Sequence, residues 1–209
     1  LQSFCSEDLG GFYLDILKDR LYTTAPNSTA RRSAQSALWH ILQAFTKLMA
    51  PILSFTAEEV WQLLTGDAEQ SVMFQRWHEL PKPAGEGDLL AKWSQIRDVR
   101  AEVTKGLEAL REAGKIGSSL QAEVELHCSG EKYDLLASLG DDLKFVLISS
   151  KATLVKADSD ALVAQASAHG KCERCWHVRE DVGGNLEHPA LCGRCVSNLY
   201  GEGEARAHA

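Results

Sequence analysis

Four cysteines near the end of the 209-residue chain are spaced as two metal-binding pairs. Two residues separate Cys172 from Cys175 and Cys192 from Cys195, and sixteen residues lie between the pairs. Two tight turns of this kind can supply four thiolates in a tetrahedron, the arrangement that selects zinc. Because protein atoms fill all four positions, we expect one structural Zn²⁺ without an open catalytic position. The alternatives are two disulfides or four unligated thiols.

Other potential ligands lie close to these pairs or elsewhere in the chain. His177 and His188 could each replace a cysteine in a site of three thiolates and one imidazole. Four well-spaced cysteines leave no vacancy, so we expect both histidines to remain outside the ligand set. Cys5 and Cys128 have no partner at ligand spacing, and we interpret both as small, partly buried apolar residues.

Arg174 and Trp176 lie within the first cysteine pair and directly after it. A guanidinium held on a metal-bound turn can reach a phosphate, and an exposed indole can stack on an unstacked base. The alternatives are a solvated side chain for Arg174 and packing within a domain of little core for Trp176. The local sequence leaves both interpretations open.

The amino-terminal region has the apolar periodicity of three amphipathic helices. The first runs through residues 9–21, and the second through residues 34–49, with Asn27 or Ser28 able to cap its start. Residues 56–59 have the S/T-x-x-E spacing of a capping box and place the start of the third helix there. Three helices with short connections predict an antiparallel bundle.

A proline- and glycine-rich linker at residues 81–87 separates this bundle from the middle of the chain. Before the linker, residues 72–77 are expected to be extended. After it, apolar residues from Leu89 to Leu110 predict a long helix that ends near Gly114.

The middle of the chain combines strands and helices in a small α+β unit. Residues 122–128 alternate apolar and polar side chains, which predicts a half-exposed strand. We expect a short helix at residues 133–139 and two further strands at residues 145–148 and 153–155. The alanine-rich segment 161–168 is interpreted as a linker to the cysteine-rich end.

The formal net charge of −7 is concentrated in the middle of the chain. Residues 1–50 carry five basic and four acidic side chains, residues 51–169 twelve and nineteen, and residues 170–209 five and six. Because nucleic-acid binders usually present a basic face, phosphate contacts are expected at the two ends. There is no run of eighteen apolar residues and no signal peptide, and the missing initiator methionine suggests a piece of a longer chain.

Five segments resemble the carboxyl-terminal part of the bacterial isoleucyl-tRNA synthetase family. Residues 171–177, Lys-Cys-Glu-Arg-Cys-Trp-His, and 191–198, Leu-Cys-Gly-Arg-Cys-Val-Ser-Asn, are similar to its zinc ribbon. Residues 12–22 resemble a helix of its anticodon-binding bundle, and residues 116–125 resemble its connecting domain. Residues 49–61 are similar to a segment shared with the valine and leucine enzymes, so the ribbon is what points to isoleucine.

The resemblance implies a fold class that is mainly α. An antiparallel helical bundle at residues 1–80 is followed by a small α+β connector at 81–168 and a four-cysteine zinc ribbon at 169–209. The His-Ile-Gly-His-like and Lys-Met-Ser-Lys-Ser motifs of the family's catalytic domain are missing, as is its editing insertion. The chain is therefore expected to be non-catalytic alone, with ATP used only by a catalytic domain elsewhere in the parent ligase.

The function implied by the resemblance is binding of the anticodon arm of an isoleucine-accepting tRNA. Residues matching the family's tRNA contacts in the ribbon are Arg174 and Trp176, and candidate phosphate contacts in the bundle are Arg20, Arg31 and Arg32. An arginine on an amphipathic helix is usually part of its solvated face. The remaining expectations are association with the rest of the synthetase chain, no membrane partner, a monomer and a cytoplasmic location.

Two other classes of function stay open. A stand-alone zinc-ribbon nucleic-acid binder, as in the DNA repair glycosylases, would need a catalytic amino-terminal proline or glutamate, and the chain begins with Leu1-Gln2. A structural interaction module would use zinc in place of a core. Salt-dependent tRNA binding separates these classes. Affinity falls with salt concentration only if the protein neutralises phosphates.

Overall fold

Helices dominate the computed structural model, which describes residues 1–209. A π-helical segment, Phe4–Leu14, leads directly into the first α-helix. The α-helices are α1 Asp15–Thr23, α2 Thr29–Met49, α3 Ser54–Thr65, α4 Glu86–Glu112, α5 Gly130–Ala137, α6 Leu143–Val146 and α7 Gly193–Tyr200. The mainly α prediction is confirmed. None of these helices is both long and apolar enough to cross a membrane.

The strands form one small mixed sheet and one short hairpin. The strands of the sheet are β1 Ala122–Cys128, β2 Lys151–Lys156 and β3 Ala161–Ala166, in the order β2-β1-β3. The central strand β1 pairs in parallel with β2 and antiparallel with β3. Its side chains alternate between buried and half-buried, as the period of two predicts. The hairpin consists of β4 Gly170–Lys171 and β5 Val178–Arg179.

Spatial proximity divides the chain into two compact units. One unit contains residues 1–31 together with residues 87–209, and the other contains residues 32–86. The opening helix therefore shares a unit with the connector and the ribbon. The three-part division at residues 80 and 168 stays a prediction.

The core of the larger unit lies between α4 and the mixed sheet. Its centre includes Ile96 and Val103 of α4, Val124 of β1 and Val146 of α6. Side chains spaced seven apart on α4 fall on one face of the helix, which is the face this core covers. Helix α4 approaches β3 closely at Gly106, because glycine has no Cβ. A Cβ at this position would lie 3.0 Å from Cδ2 of Leu162.

The smaller unit has its own apolar cluster around Trp61. Ala50, Ala57 and Val72 complete the cluster, and Leu64 packs against it. The Glu58 carboxylate accepts hydrogen bonds of 2.9 Å from the Val72 N–H and the Ser71 hydroxyl.

Two helix starts test the capping predictions. Ser28 caps α2, because its Oγ accepts the Arg31 N–H at 3.2 Å, which confirms one of the two predicted caps. The capping box at residues 56–59 is wrong: α3 begins two residues earlier, at Ser54, and the residue before it makes no side-chain cap. The extended segment predicted at 72–77 is also wrong at its start, where Val72–Phe74 form a 3₁₀ turn.

Two further predictions in the connector are wrong. Residues 145–148 were expected to be a strand, yet Phe145 and Val146 belong to the short helix α6. Their burial against the core overrides their β-propensity, because tertiary packing outweighs propensity in a segment this short. The segment interpreted as an alanine-rich linker is mostly strand β3, in which Ala164 pairs with Val124 of β1.

Candidate metal centre and nucleic-acid interface

The first cysteine pair lies on the turn that joins β4 to β5. The Cys172 N–H donates to the His177 carbonyl at 2.9 Å, and the Trp176 N–H donates to the Cys172 carbonyl at 2.9 Å. The turn requires a left-handed backbone at Trp176, where φ is 65°. This conformation is uncommon for a bulky residue, so the two cysteines are held at the cost of some backbone strain.

The second cysteine pair lies at the amino terminus of α7. Cys192 is the residue before the helix, and Cys195 lies in its first turn. The Gly193 N–H donates to Oδ2 of Asp181 at 3.0 Å, and the other carboxylate oxygen accepts from Nε of Arg179 at 3.0 Å. These bonds tie the helix terminus to the hairpin that carries the first pair.

All four cysteine sulfurs converge, and their atoms lie within 4.8 Å of one another. The four residues are buried and form no disulfide. The sulfurs of Cys175 and Cys192 are 3.7 Å apart, and tetrahedral Zn–S bonds of about 2.3 Å would separate two sulfurs by about 3.8 Å. Four soft donors at this spacing fit one structural Zn²⁺. Both histidines are absent from the cluster, as predicted.

N–H donors around the sulfurs complete the site. The Cys192 N–H donates to Sγ of Cys172 at 3.4 Å, and Nη1 of Arg174 donates to Sγ of Cys195 at 3.6 Å. Although burial raises the pKa of the Cys172 thiol, backbone N–H groups lower it to about 7. The side-chain hydrogen bond with Cys192, together with burial, raises the pKa of Cys175 to about 12. A bound cation is therefore needed to hold all four residues as thiolates.

Arg174 joins the turn that carries the first cysteine pair to the carboxyl end of α1. Its Nη1 donates to the Thr23 carbonyl at 2.7 Å, and its Nη2 donates to the Tyr22 carbonyl at 3.3 Å. These are carbonyls that the helix itself leaves unpaired, and a cation there also favours the helix dipole. The observed bonds use three of the five guanidinium N–H groups.

A cavity of about 410 Å³ lies between α1, the connector and the ribbon. Phe145 and Ile148 contribute apolar side chains to its lining, and the two large aromatics Tyr22 and Trp176 also line it. Trp176 is 61% exposed and Tyr22 is 74% exposed. The exposure of Trp176 excludes the alternative that its indole is the ribbon's core. Lys171 places its Nζ 5.8 Å from the centre of the Trp176 ring.

Neither Arg20 nor Arg31 lines this cavity. Nε of Arg20 donates to the Ala30 carbonyl at 2.7 Å. Arg31 is half-buried, and its Nε has no hydrogen-bond partner. Arg32 is exposed, contacts Gln35 through Nη1 at 3.1 Å, and belongs to the smaller unit. Arg174 and Trp176 lie together on the turn between β4 and β5. Contact of all five residues with tRNA stays a prediction.

Sequence reasoning missed the α1 residues that meet the ribbon, Asp19 and Tyr22. They lie on the apolar-periodic helix where a polar residue normally belongs to the solvated face. No local signal marks a helix surface that a segment about 150 residues away will cover.

Residues 1–126 match the family model of the anticodon-binding domain of tRNA ligase, and residues 170–198 match the zinc finger found in FPG and IleRS. The isoleucine–tRNA ligase of Dechloromonas aromatica is 75% identical over 206 residues, which is 99% of this chain and 22% of that protein. The isoleucine–tRNA ligase of Thiobacillus denitrificans is 62% identical over 209 residues, which is 100% of this chain and 22% of that protein.

The isoleucine–tRNA ligase of Azoarcus sp. is 60% identical over 212 residues, which is 100% of this chain and 23% of that protein. The chain thus spans less than a quarter of the length of these curated relatives. Because the first family model covers more than half of the chain, the chain belongs to the family of anticodon-binding domains of tRNA ligases.

Proposed function

We propose that the chain is the tRNA-binding, carboxyl-terminal part of an isoleucine–tRNA ligase. The observation that carries this proposal is the four-cysteine ribbon fixed to α1 of the anticodon-binding module, with Trp176 exposed beside the junction. The ligase attaches isoleucine to its tRNA with ATP, and that chemistry belongs to catalytic and editing domains outside this chain. The ligase acts in the cytoplasm as a monomer.

The chain contributes by positioning its substrate. Contacts with the anticodon arm orient the tRNA, so that its distant acceptor end reaches the catalytic domain of the same ligase. Loop bases of an RNA can be splayed out of their stack and read individually, which makes aromatic and arginine side chains the suitable contacts. The zinc ion supports this binding only through structure, because four cysteines leave it no open position.

Trp176 and Tyr22 are the residues we assign to base stacking. Both rings are largely exposed and line the same apolar cavity, whose volume exceeds that of a single base. Stacking of one base on an aromatic side chain contributes about 1–3 kcal/mol. Arg174 supplies its remaining N–H groups to a phosphate next to that base, and Arg20, Arg31 and Arg32 supply phosphate contacts from the helices.

Trp176→Ala in the zinc-loaded full-length ligase tests this function. We expect tRNA affinity to fall by about 5- to 150-fold, the equivalent of 1–3 kcal/mol, while zinc content stays at one per chain. The matched control is Trp77→Ala, because Trp77 is similarly exposed but lies in the smaller unit. Wild-type protein that binds tRNA without salt dependence, or a Trp176→Ala variant that loses zinc, contradicts the proposal.

A further inference from the structure

Helix α1 and the ribbon meet around one carboxylate, that of Asp19. Arg194 on α7 donates to both of its oxygens, with Nη1–Oδ1 and Nη2–Oδ2 distances of 2.7 Å. Nη1 of Arg206, in the segment after α7, donates to the same Oδ1. Two-pronged pairing of an arginine with a carboxylate is among the strongest side-chain interactions and fixes orientation as well as distance.

These charges are removed from water. The exposed fraction of the side chain is 17% for Asp19, 7% for Arg194 and 1% for Arg206. Although burial raises the pKa of the Asp19 carboxyl, hydrogen bonding from Arg194 holds it well below its usual range. A second carboxylate, that of Glu204, lies 3.3 Å from Nη1 of Arg194 and balances the second guanidinium.

Both guanidinium groups also pack on one aromatic ring of the connector. The guanidinium carbon of Arg206 lies 3.6 Å from the centre of the Phe145 ring, and that of Arg194 lies 4.9 Å from it. The cluster therefore joins three segments that are far apart in the chain: α1, the connector and the ribbon with its carboxyl-terminal extension. Its charges cancel only when Asp19 is ionised.

The geometry points to Asp19 as a positioning residue for the tRNA interface. Asp19 lies three residues before Tyr22, and its partner Arg194 lies between the two ligands Cys192 and Cys195. By fixing the ribbon to α1, Asp19 sets where Trp176 stands relative to Tyr22 across the cavity. This inference rests on the proposed tRNA-binding function.

Loss of this carboxylate affects the junction but not the metal site. Without Asp19, two buried guanidinium groups share one carboxylate, and an uncompensated buried charge is strongly unfavourable. The ribbon then loses its charged link to α1 and keeps the bonds from Arg174 to the Tyr22 and Thr23 carbonyls, so Trp176 is expected to shift relative to Tyr22. Zinc remains bound because the four thiolates and their backbone donors belong to the ribbon itself.

Asp19→Asn in the zinc-loaded full-length protein is the test. We expect one zinc per chain and at least a tenfold loss of affinity for isoleucine-accepting tRNA. The direction is diagnostic, because removing a negative charge near RNA should by itself strengthen binding. The matched control is Asp8→Asn, which removes the carboxylate 2.6 Å from Nη1 of Arg97 and leaves the ribbon junction intact. Its tRNA affinity should stay within twofold of wild type.

A double-mutant cycle with Trp176→Ala separates positioning from general loss of structure. If Asp19 acts through Trp176, Asp19→Asn should cost little further affinity once the indole is gone. Additive losses, loss of zinc in Asp19→Asn, or wild-type affinity in Asp19→Asn each overturn the inference. Failure of the wild-type protein to bind tRNA would instead refute the proposed function itself, and with it this role for Asp19.

Discussion

Removal of zinc should unfold the ribbon and leave the rest of the larger unit folded. The apolar side chains packed on the cysteine cluster are those of Val182 and Leu191, and both are only partly buried. Full burial of such a side chain contributes about 1.5–3 kcal/mol, so the two together contribute at most about 6 kcal/mol. Zinc binding to four-ligand modules contributes about 10–16 kcal/mol. The metal therefore outweighs the ribbon's own core.

Amide hydrogen exchange with and without a chelator measures this directly. In the zinc-loaded protein, the Cys172 and Val196 amides should be protected, since they donate to backbone carbonyls at 2.9 and 3.0 Å. After chelation we expect both to exchange at rates close to those of an unfolded chain. Amides of β1 and the middle of α4 should keep their protection, because their core around Ile96 and Val124 contains no metal ligand.

The control is the same chelator already saturated with zinc, which should leave the protection of the Cys172 and Val196 amides unchanged. Returning zinc to the stripped protein should restore protection of residues 170–200. If those amides stay protected after elemental analysis shows the metal has gone, the reasoning that zinc replaces a core is refuted.

Two further predictions concern the junction and the core. Arg174→Ala should lower the slope of log affinity for tRNA against log salt concentration by about one unit, if Arg174 binds a phosphate. Arg111→Ala is the control: it lies on the exposed surface of α4 and should leave the slope unchanged. Gly106→Val should lower the free energy of unfolding by about 1–3 kcal/mol in a urea titration, because even a Cβ there lies 3.0 Å from Leu162. Gly87→Val, at a position where a Cβ would meet no atom within 4 Å, should have a much smaller effect. Equal losses in the two variants would contradict the close approach of α4 and β3.

The features that sequence alone predicted are those set by local spacing. The two Cys-x2-Cys turns, the alternation at residues 122–128 and the long apolar stripe of α4 each need only neighbours in the chain to be recognised. Burial then follows from the pattern, because a strand with one apolar face or a helix with one apolar stripe has a single way to face a core.

The features that sequence missed depend on partners far away in the chain. Residues 145–148 have strand-like composition, but packing on the core places Phe145 and Val146 in helix α6. Asp19 and Arg194 are separated by 175 residues, and neither carries a signal that names the other. A buried ion pair of this kind depends on how the folded chain places its two members. In the sequence alone, each of them is indistinguishable from an ordinary surface charge.

The same ion pairs bear on how an acidic chain could carry the RNA-binding ribbon proposed above. Most of the ribbon's arginines are directed at protein carboxylates: Arg194 and Arg206 at Asp19, and Arg179 at Asp181. Arg194 and Arg206 fix the ribbon to α1, Arg179 acts within the ribbon, and all three charges are already balanced by carboxylates, so they are poorly placed to neutralise phosphates. We therefore expect RNA binding energy at the proposed interface to come mainly from the faces of exposed aromatic rings, which need no net positive charge. For the proposed interface, rigid placement of Trp176 is consequently expected to contribute more than additional basic residues would.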